Sequence, residues 1–148
     1  MITIAKVQTD DRNINQLQQN IKSSVEPPFN EDVGQFIGNA AGFTTSFSIP
    51  VKWQTGTTQS GVILSFPDAT SVSTSSGFTI TGMPKNLYPQ SNQASLIRVI
   101  DNGTAFIGLI EILIDGKIVF FKDISGSGFM ASGFKGLGAG CISYVRGI

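Results

Sequence analysis

The ten residues from Ala105 to Ile114 carry one charge, Glu111, and are otherwise apolar or glycine at odd and even positions alike. A strand alternates its side chains between two faces, so this content requires cover on both. The run is too short to cross a bilayer as a helix, and Gly108 and Glu111 interrupt it. It therefore belongs between two packed layers, either two sheets of one subunit or a sheet and a neighbouring subunit. Asp115-Gly116 separates it from Lys117–Phe121. A two-residue Asp-Gly between apolar runs predicts a hairpin on a type I′ turn, which needs positive φ at both positions.

The same period of two recurs upstream. Phe43, Thr45, Phe47 and Ile49 alternate with Thr44, Ser46 and Ser48, and Pro50 ends or bends that strand. Val51, Trp53 and Thr55 continue it briefly. Val62–Phe66 reads as a strand closed by Pro67-Asp68, Ser71–Thr74 as a weak one, and Gly77–Gly82 as another. Ser95–Ile100 ends at Asp101-Asn102-Gly103, and Ala139–Val145 supplies the last strand. Gly136, Gly138 and Gly140 mark a flexible or tightly turning stretch. Eight to ten strands with turn signals every 8–12 residues predict a mainly β chain, an antiparallel β-sandwich or jelly roll.

The first residues follow a different rule. Val7, Ile14, Leu17, Ile21 and Val25 fall on one narrow stripe at helical spacing, and Pro27-Pro28 stops the pattern. Asp10 and Asp11 favour a helix N-terminus there. A seam this thin suits helix-to-helix contact, so residues 1–28 read as a coiled-coil-like stem or anchor. Residues 29–41 show no clear period and read as a linker, and 42–148 as the β head. Full burial of those five side chains contributes ~1.5–3 kcal/mol each, while ordering each helical residue costs ~1–2 kcal/mol. The stripe therefore sets register or anchors, and the strength of assembly belongs in the apolar strands from Leu96 to Ile124.

Composition narrows the chemistry. The 148 residues include no histidine and one cysteine, Cys141. A Ser-His-Asp or Cys-His nucleophile is thus excluded, an intrachain disulfide is impossible, and zinc has poor support. Cys141 itself reads as a small buried hydrophobe. Ten basic and ten acidic residues cancel, and no basic run offers a footprint for nucleic acid or an anionic membrane. Glu111 on its apolar strand reads as the partner of Lys117 or Arg98 rather than as a catalytic acid. Gly136-Leu137-Gly138-Ala139-Gly140 leads into a strand, so it lacks the helix N-terminus that a phosphate loop requires. No enzyme activity, cofactor or metal is expected. Met1–Lys6 has neither the apolar core nor the cleavage site of a signal peptide, which predicts synthesis in a cytoplasm. Trp53 and Tyr88 are the candidate ligand contacts, as aromatic platforms for sugar, with Tyr144 a third aromatic of that kind.

The Asn/Gln-rich opening Val7-Gln8-Thr9-Asp10-Asp11-Arg12-Asn13-Ile14-Asn15-Gln16-Leu17-Gln18, ending in Pro27, resembles the start of small tail-associated virion proteins of bacteriophages. Gly108-Leu109-Ile110-Glu111-Ile112, Asp115-Gly116-Lys117-Ile118 and the closing Ile142-Ser143-Tyr144 are similar to the β heads of phage fibre and spike proteins. The resemblance implies a structural virion protein made in the host cytoplasm. It implies a homotrimer whose stem plugs into tail, collar or capsid proteins, as a short tail fibre, spike or adaptor whose β head serves attachment or capping. The alternatives are a receptor-recognition module for host-surface glycan and a capsid decoration or head-fibre protein.

Overall fold

The structure, a computed structural model, describes residues 31–56 and 60–147. The anchor positions Val7, Ile14, Leu17, Ile21 and Val25 lie outside the described residues. Among the described residues ten strands follow in order: β1 (Glu31–Ala41), β2 (Phe47–Gly56), β3 (Gly61–Phe66), β4 (Ala69–Val72), β5 (Thr79–Thr81), β6 (Gln93–Asp101), β7 (Thr104–Ile112), β8 (Ile118–Phe121), β9 (Phe134–Leu137) and β10 (Gly140–Val145). A turn of 3-10 helix, Lys85–Leu87, interrupts them. All the strand pairings are antiparallel. The mainly β, antiparallel expectation holds.

The strands form one curled sheet in the order β10-β3-β2-β1-β5-β8-β7-β6-β9-β4. Its two ends are made by the same ribbon. β3 runs into β4 across Pro67-Asp68, and β9 runs into β10 across Gly138-Ala139. β3 pairs with β10 and β4 pairs with β9, so this double strand turns a corner and carries the sheet back onto itself. Asp68 Oδ1 holds the corner by accepting a hydrogen bond from the Ala139 amide at 2.7 Å. Curling is the physical answer to a long apolar sheet: it covers the inner face and leaves short edges.

Inside lie Phe36, Ile49, Val51, Leu64, Phe66, Phe78, Ile80, Val99, Ile110, Ile112, Ile118, Phe120 and Leu137. Phe78 sits at the aromatic centre, 4.4 Å from Phe120 and 5.0 Å from Phe43 by ring centroid. Edge-on and tilted pairs of this kind add to the burial of their area.

Several expectations need correction. The supposed linker 29–41 holds β1, an 11-residue strand near the middle of the sheet between β2 and β5. Its inward positions include Gly34 and Gly38, over which Trp53 and Ile80 pack, since a Cβ at either glycine would run into those side chains. Its outward positions include Val33 and Ile37, both exposed. Apolar residues therefore fall on both faces, Phe36 and Ala40 inward and Val33 and Ile37 outward, and no period was visible. Pro50 does not end its strand. It sits within β2 opposite Ile37, and β3 joins β2 only from Lys52 onward, so the missing amide faces no ladder.

The glycine-rich stretch at 136 holds β9, between β6 and β4. The Asp115-Gly116 hairpin is present, but only Gly116 has positive φ, at 84°. The Gly116 amide donates to Leu113 and the Leu113 amide to Lys117, which gives the longer turn closed by a left-handed glycine. The tight two-residue turn is Asn102-Gly103 instead, with φ of 49° and 78° between the paired Asp101 and Thr104.

Candidate functional site

Register assigns the molecule two unlike ends. Glu31 lies opposite Gly56, Thr55 opposite Val62, and Gly61 opposite Val145. Arg146 bridges to Pro89, and Asn92 Oδ1 accepts a bond from the Ile114 amide. The start of β1, the end of β10 and the Leu113–Lys117 turn thus share one end. The chain enters and leaves the described fold there. The opposite, distal end carries the 41–46, 73–78 and 122–133 segments and the Asn102-Gly103 turn.

Lys135 organises the distal end. Its side chain is fully buried, and its Nζ donates to the carbonyls of Gly42 at 2.6 Å, Ser75 at 2.9 Å and Gly77. The Phe43 and Phe129 rings lie 4.8 and 5.7 Å from it. All three ammonium protons are used, which makes burial of this charge tolerable. Burial draws its pKa down to about 8, and the nearby Asp101 carboxylate pulls it back up. Asp101 is buried too; it accepts the Met130 amide at 2.8 Å and pairs with Lys122 at 3.3 Å. Asp123, at the surface, accepts bonds from the Ser127 amide and the Ser125 hydroxyl, which hold its carboxyl down to about 2. These groups tie loops together. Sequence reading gave Lys135 no role, because a lysine between Phe and Gly carries no local mark of burial.

The two aromatic candidates fall in separate clefts toward the entry end. Trp53 is half-buried over Gly34 in a shallow cleft of about 360 Å³ that Gln35, Lys52, Gln54 and Ser65 also line. Tyr88 is half-buried with its ring against Gly116, in a smaller cleft of about 230 Å³ with Asp115 and Lys117. The fold does not bring them together. Tyr144 is no platform: it is buried, its hydroxyl donates to the Leu87 carbonyl at 2.6 Å, and burial raises its pKa. Cys141, expected inside, is exposed on β10, because the alternation of that strand turns Ile142 and Tyr144 inward. No group of three or more His, Cys, Asp or Glu among the described residues is placed to hold a metal ion.

An unexplained apolar surface is the outward face of β6, β7 and β8. Its rows run Phe121-Leu109-Leu96, Val119-Glu111-Ala94 and Ile107-Arg98 across the ladders. Leu96 is 57% exposed and Ile107 69%, while Leu109, Val119 and Phe121 are half-buried. The inward residues of β7, Gly108, Ile110 and Ile112, are buried in the core. The apolar character of β7 on both faces is thus answered inside by its own subunit and left open outside. Contiguous exposed apolar surface of this kind marks an interaction site. Glu111 stands opposite Ala94 and Val119, Arg98 opposite Ile107, and Lys117 lies in the turn, so the expected ion pair of Glu111 with Lys117 or Arg98 is not made.

The curled sheet is a fold shared with a viral attachment protein. The chain is similar to the reovirus attachment protein sigma1, solved in complex with alpha-2,3-sialyllactose, with a TM-score of 0.50 over 81% of this chain and 68% of that one. The identity is 13%, so the likeness is one of fold. No protein-family model and no curated protein matches the sequence.

Proposed function

We propose that the protein is a virion-borne attachment head of the fibre or spike type, a homotrimer held to its particle by its N-terminal segment. The bacteriophage setting, with tail, collar or capsid proteins as the other partners, rests on the sequence resemblance at the two ends of the chain. The observation that carries the reading is the likeness of fold to a viral attachment protein. The polarity of the molecule agrees with it. A chain that enters at one end leaves the distal loops, braced by Lys135, to face outward. The open apolar face of β6–β8 is the contact between copies, and self-association hides Leu96, Leu109 and Ile107 from water.

Ile107→Asp tests the assembly. It places a charge within the proposed contact, opposite Arg98 on the neighbouring strand, and leaves the core of the subunit untouched. The expected result is a loss of ~3 kcal/mol of association, roughly 100-fold in Kd, with an unfolding midpoint equal to wild type at a concentration where both are monomeric. Sedimentation equilibrium of the full chain reads it. A wild-type chain that stays monomeric at high concentration sinks the assembly reading.

A second reading, glycan recognition, is favoured by the shallow cleft lined by Gln35, Lys52, Gln54 and Ser65, with Trp53 at its wall. Several hydrogen-bonding side chains lining one cleft suit a sugar. A glycan array on the full chain should give binding that Trp53→Ala reduces at least tenfold. An array with no signal assigns the protein a purely structural place on the particle.

A further inference from the structure

The apolar face carries two charges that the fold itself does not use. Arg98 stands on β6, exposed, with its stem laid over Gly138; a Cβ there would come within 2.9 Å of Arg98 Cδ. Glu111 stands half-buried on β7 between Ala94 and Val119. Four residues of β7 separate Glu111 from Ile107, the residue opposite Arg98. At ~3.3 Å per residue that is about 13 Å, far beyond an ion pair. Among the described residues neither has a salt-bridge partner, and the pair that does form, Lys122 with Asp101, is separate from them.

The two charges lie on opposite sides of the apolar centre. Arg98 is on the flank toward β9 and Glu111 on the flank toward β8. Leu96, Leu109 and Phe121 form the row between them along the strands. In a ring of identical copies one flank of each face meets the other flank of its neighbour. Unlike charges on opposite flanks therefore complement one another around the ring, whereas a face that receives a different protein has no need to match itself. The separation runs mainly along the strands, so the pair meets where the strands lie oblique to the ring axis, and arginine has the long, forked reach to close what offset is left.

We infer that the occupant of this face is a second copy of this chain, and that Arg98 of each copy pairs with Glu111 of the next. The inference rests on the self-assembly proposed above and adds its register and its recognition element. Charges that meet across such a contact set orientation and reject wrong partners more than they add affinity.

A charge-reversal cycle on the full chain tests it. Arg98→Glu places two carboxylates together and should weaken association at least tenfold; Glu111→Arg places two guanidinium groups together and should do the same. The double variant Arg98→Glu/Glu111→Arg restores the pair in reverse and should recover most of the wild-type association. Because both side chains point outward, the unfolding midpoints of all three should match wild type at concentrations where every version is monomeric. Neutral Arg98→Gln and Glu111→Gln versions supply the same cycle should a reversal disturb the fold, with each single weakening association and the double no worse than the weaker single. Single reversals that assemble like wild type, or a double that stays dissociated, overturn the inference while self-assembly stands. A wild-type chain that is monomeric at every concentration overturns both.

Discussion

Replacing Lys135 with Met lowers the stability of the protein by ~3 kcal/mol, because it removes the one group that satisfies the carbonyls of Gly42, Ser75 and Gly77 together. Methionine fills similar space but donates nothing. Each carbonyl keeps only a longer, neutral donor, the Thr74 amide on Gly42 at 3.3 Å, the Ser73 hydroxyl on Ser75 at 3.1 Å and the Ser75 hydroxyl on Gly77 at 3.4 Å, so what is lost is a set of hydrogen bonds from a charged donor, ~1.5–3 kcal/mol each. Release from the burial of the ammonium itself offsets part of this. At ~2–4 °C per kcal/mol for a chain of this size, the unfolding midpoint should fall by roughly 10 °C. The damage should concentrate in hydrogen exchange at 42–46 and 73–78.

Lys135 also gives the stability a pH signature. Its pKa in the fold is about 8, below the ordinary lysine value of 10.5. A base with a depressed folded pKa holds fewer protons in the native than in the unfolded state between those two values, so stability rises with pH through that window. Below pH 8 both states are protonated and the cost of the buried charge is fully present. Tyr144 acts in the opposite sense above pH 10, since burial raises its pKa and unfolding then releases its proton. Urea unfolding at pH 7.5, 9 and 10 should show a rise for wild type that Lys135→Met lacks. Parallel profiles for the two would refute the assignment.

The second large effect lies at the closure of the sheet. Gly136→Val should cost ~3 kcal/mol or more and open the β4–β9 pairing. β9 is held between Ile100 of β6 and Thr70 of β4 at this residue. A Cβ there would run into the Ala69 carbonyl and stand 2.7 Å from Thr70 Cα. Both are backbone atoms and cannot rotate aside, so the strands must part. Overpacking that forces backbone to shift costs ~1–3 kcal/mol and occasionally more, and here it also releases the ribbon that closes the curl. Gly103→Ala is the contrast. Nothing lies within 4 Å of its added Cβ, and the change meets only the strain of φ at 78°, ~1 kcal/mol. Far-ultraviolet dichroism with thermal unfolding separates the two. A Gly136→Val protein as stable as Gly103→Ala would remove close strand contact as the reason for glycine at 136.

Both predictions concern features that were hard to read along the chain. β7 was legible because its apolar residues announce burial on either face, and the two-sided reading led directly to the open surface of Leu96, Ile107 and Leu109. β1 was hidden because glycine takes two of its inward positions, at 34 and 38, and the apolar Val33 and Ile37 point outward. The recurrence of Gly34 and Gly38 four residues apart was the available sign. β9 was hidden for a related reason, since its glycine serves a neighbouring backbone and leaves no side chain to show a period.

From the sequence alone follow the mainly β character, most of the strands, the turn at Asp115-Gly116, the exclusion of histidine chemistry and the need of β7 for cover on two sides. Each depends on residues close in the chain, where alternation and turn chemistry act directly. Only the tertiary structure decides that the sheet closes through one bent ribbon, that Lys135 gathers three distant carbonyls, and that Arg98 and Glu111 stand apart on one open face. Those facts depend on which strands become neighbours, a choice made by packing between segments as far apart as Gly42 and Lys135. No local period records it.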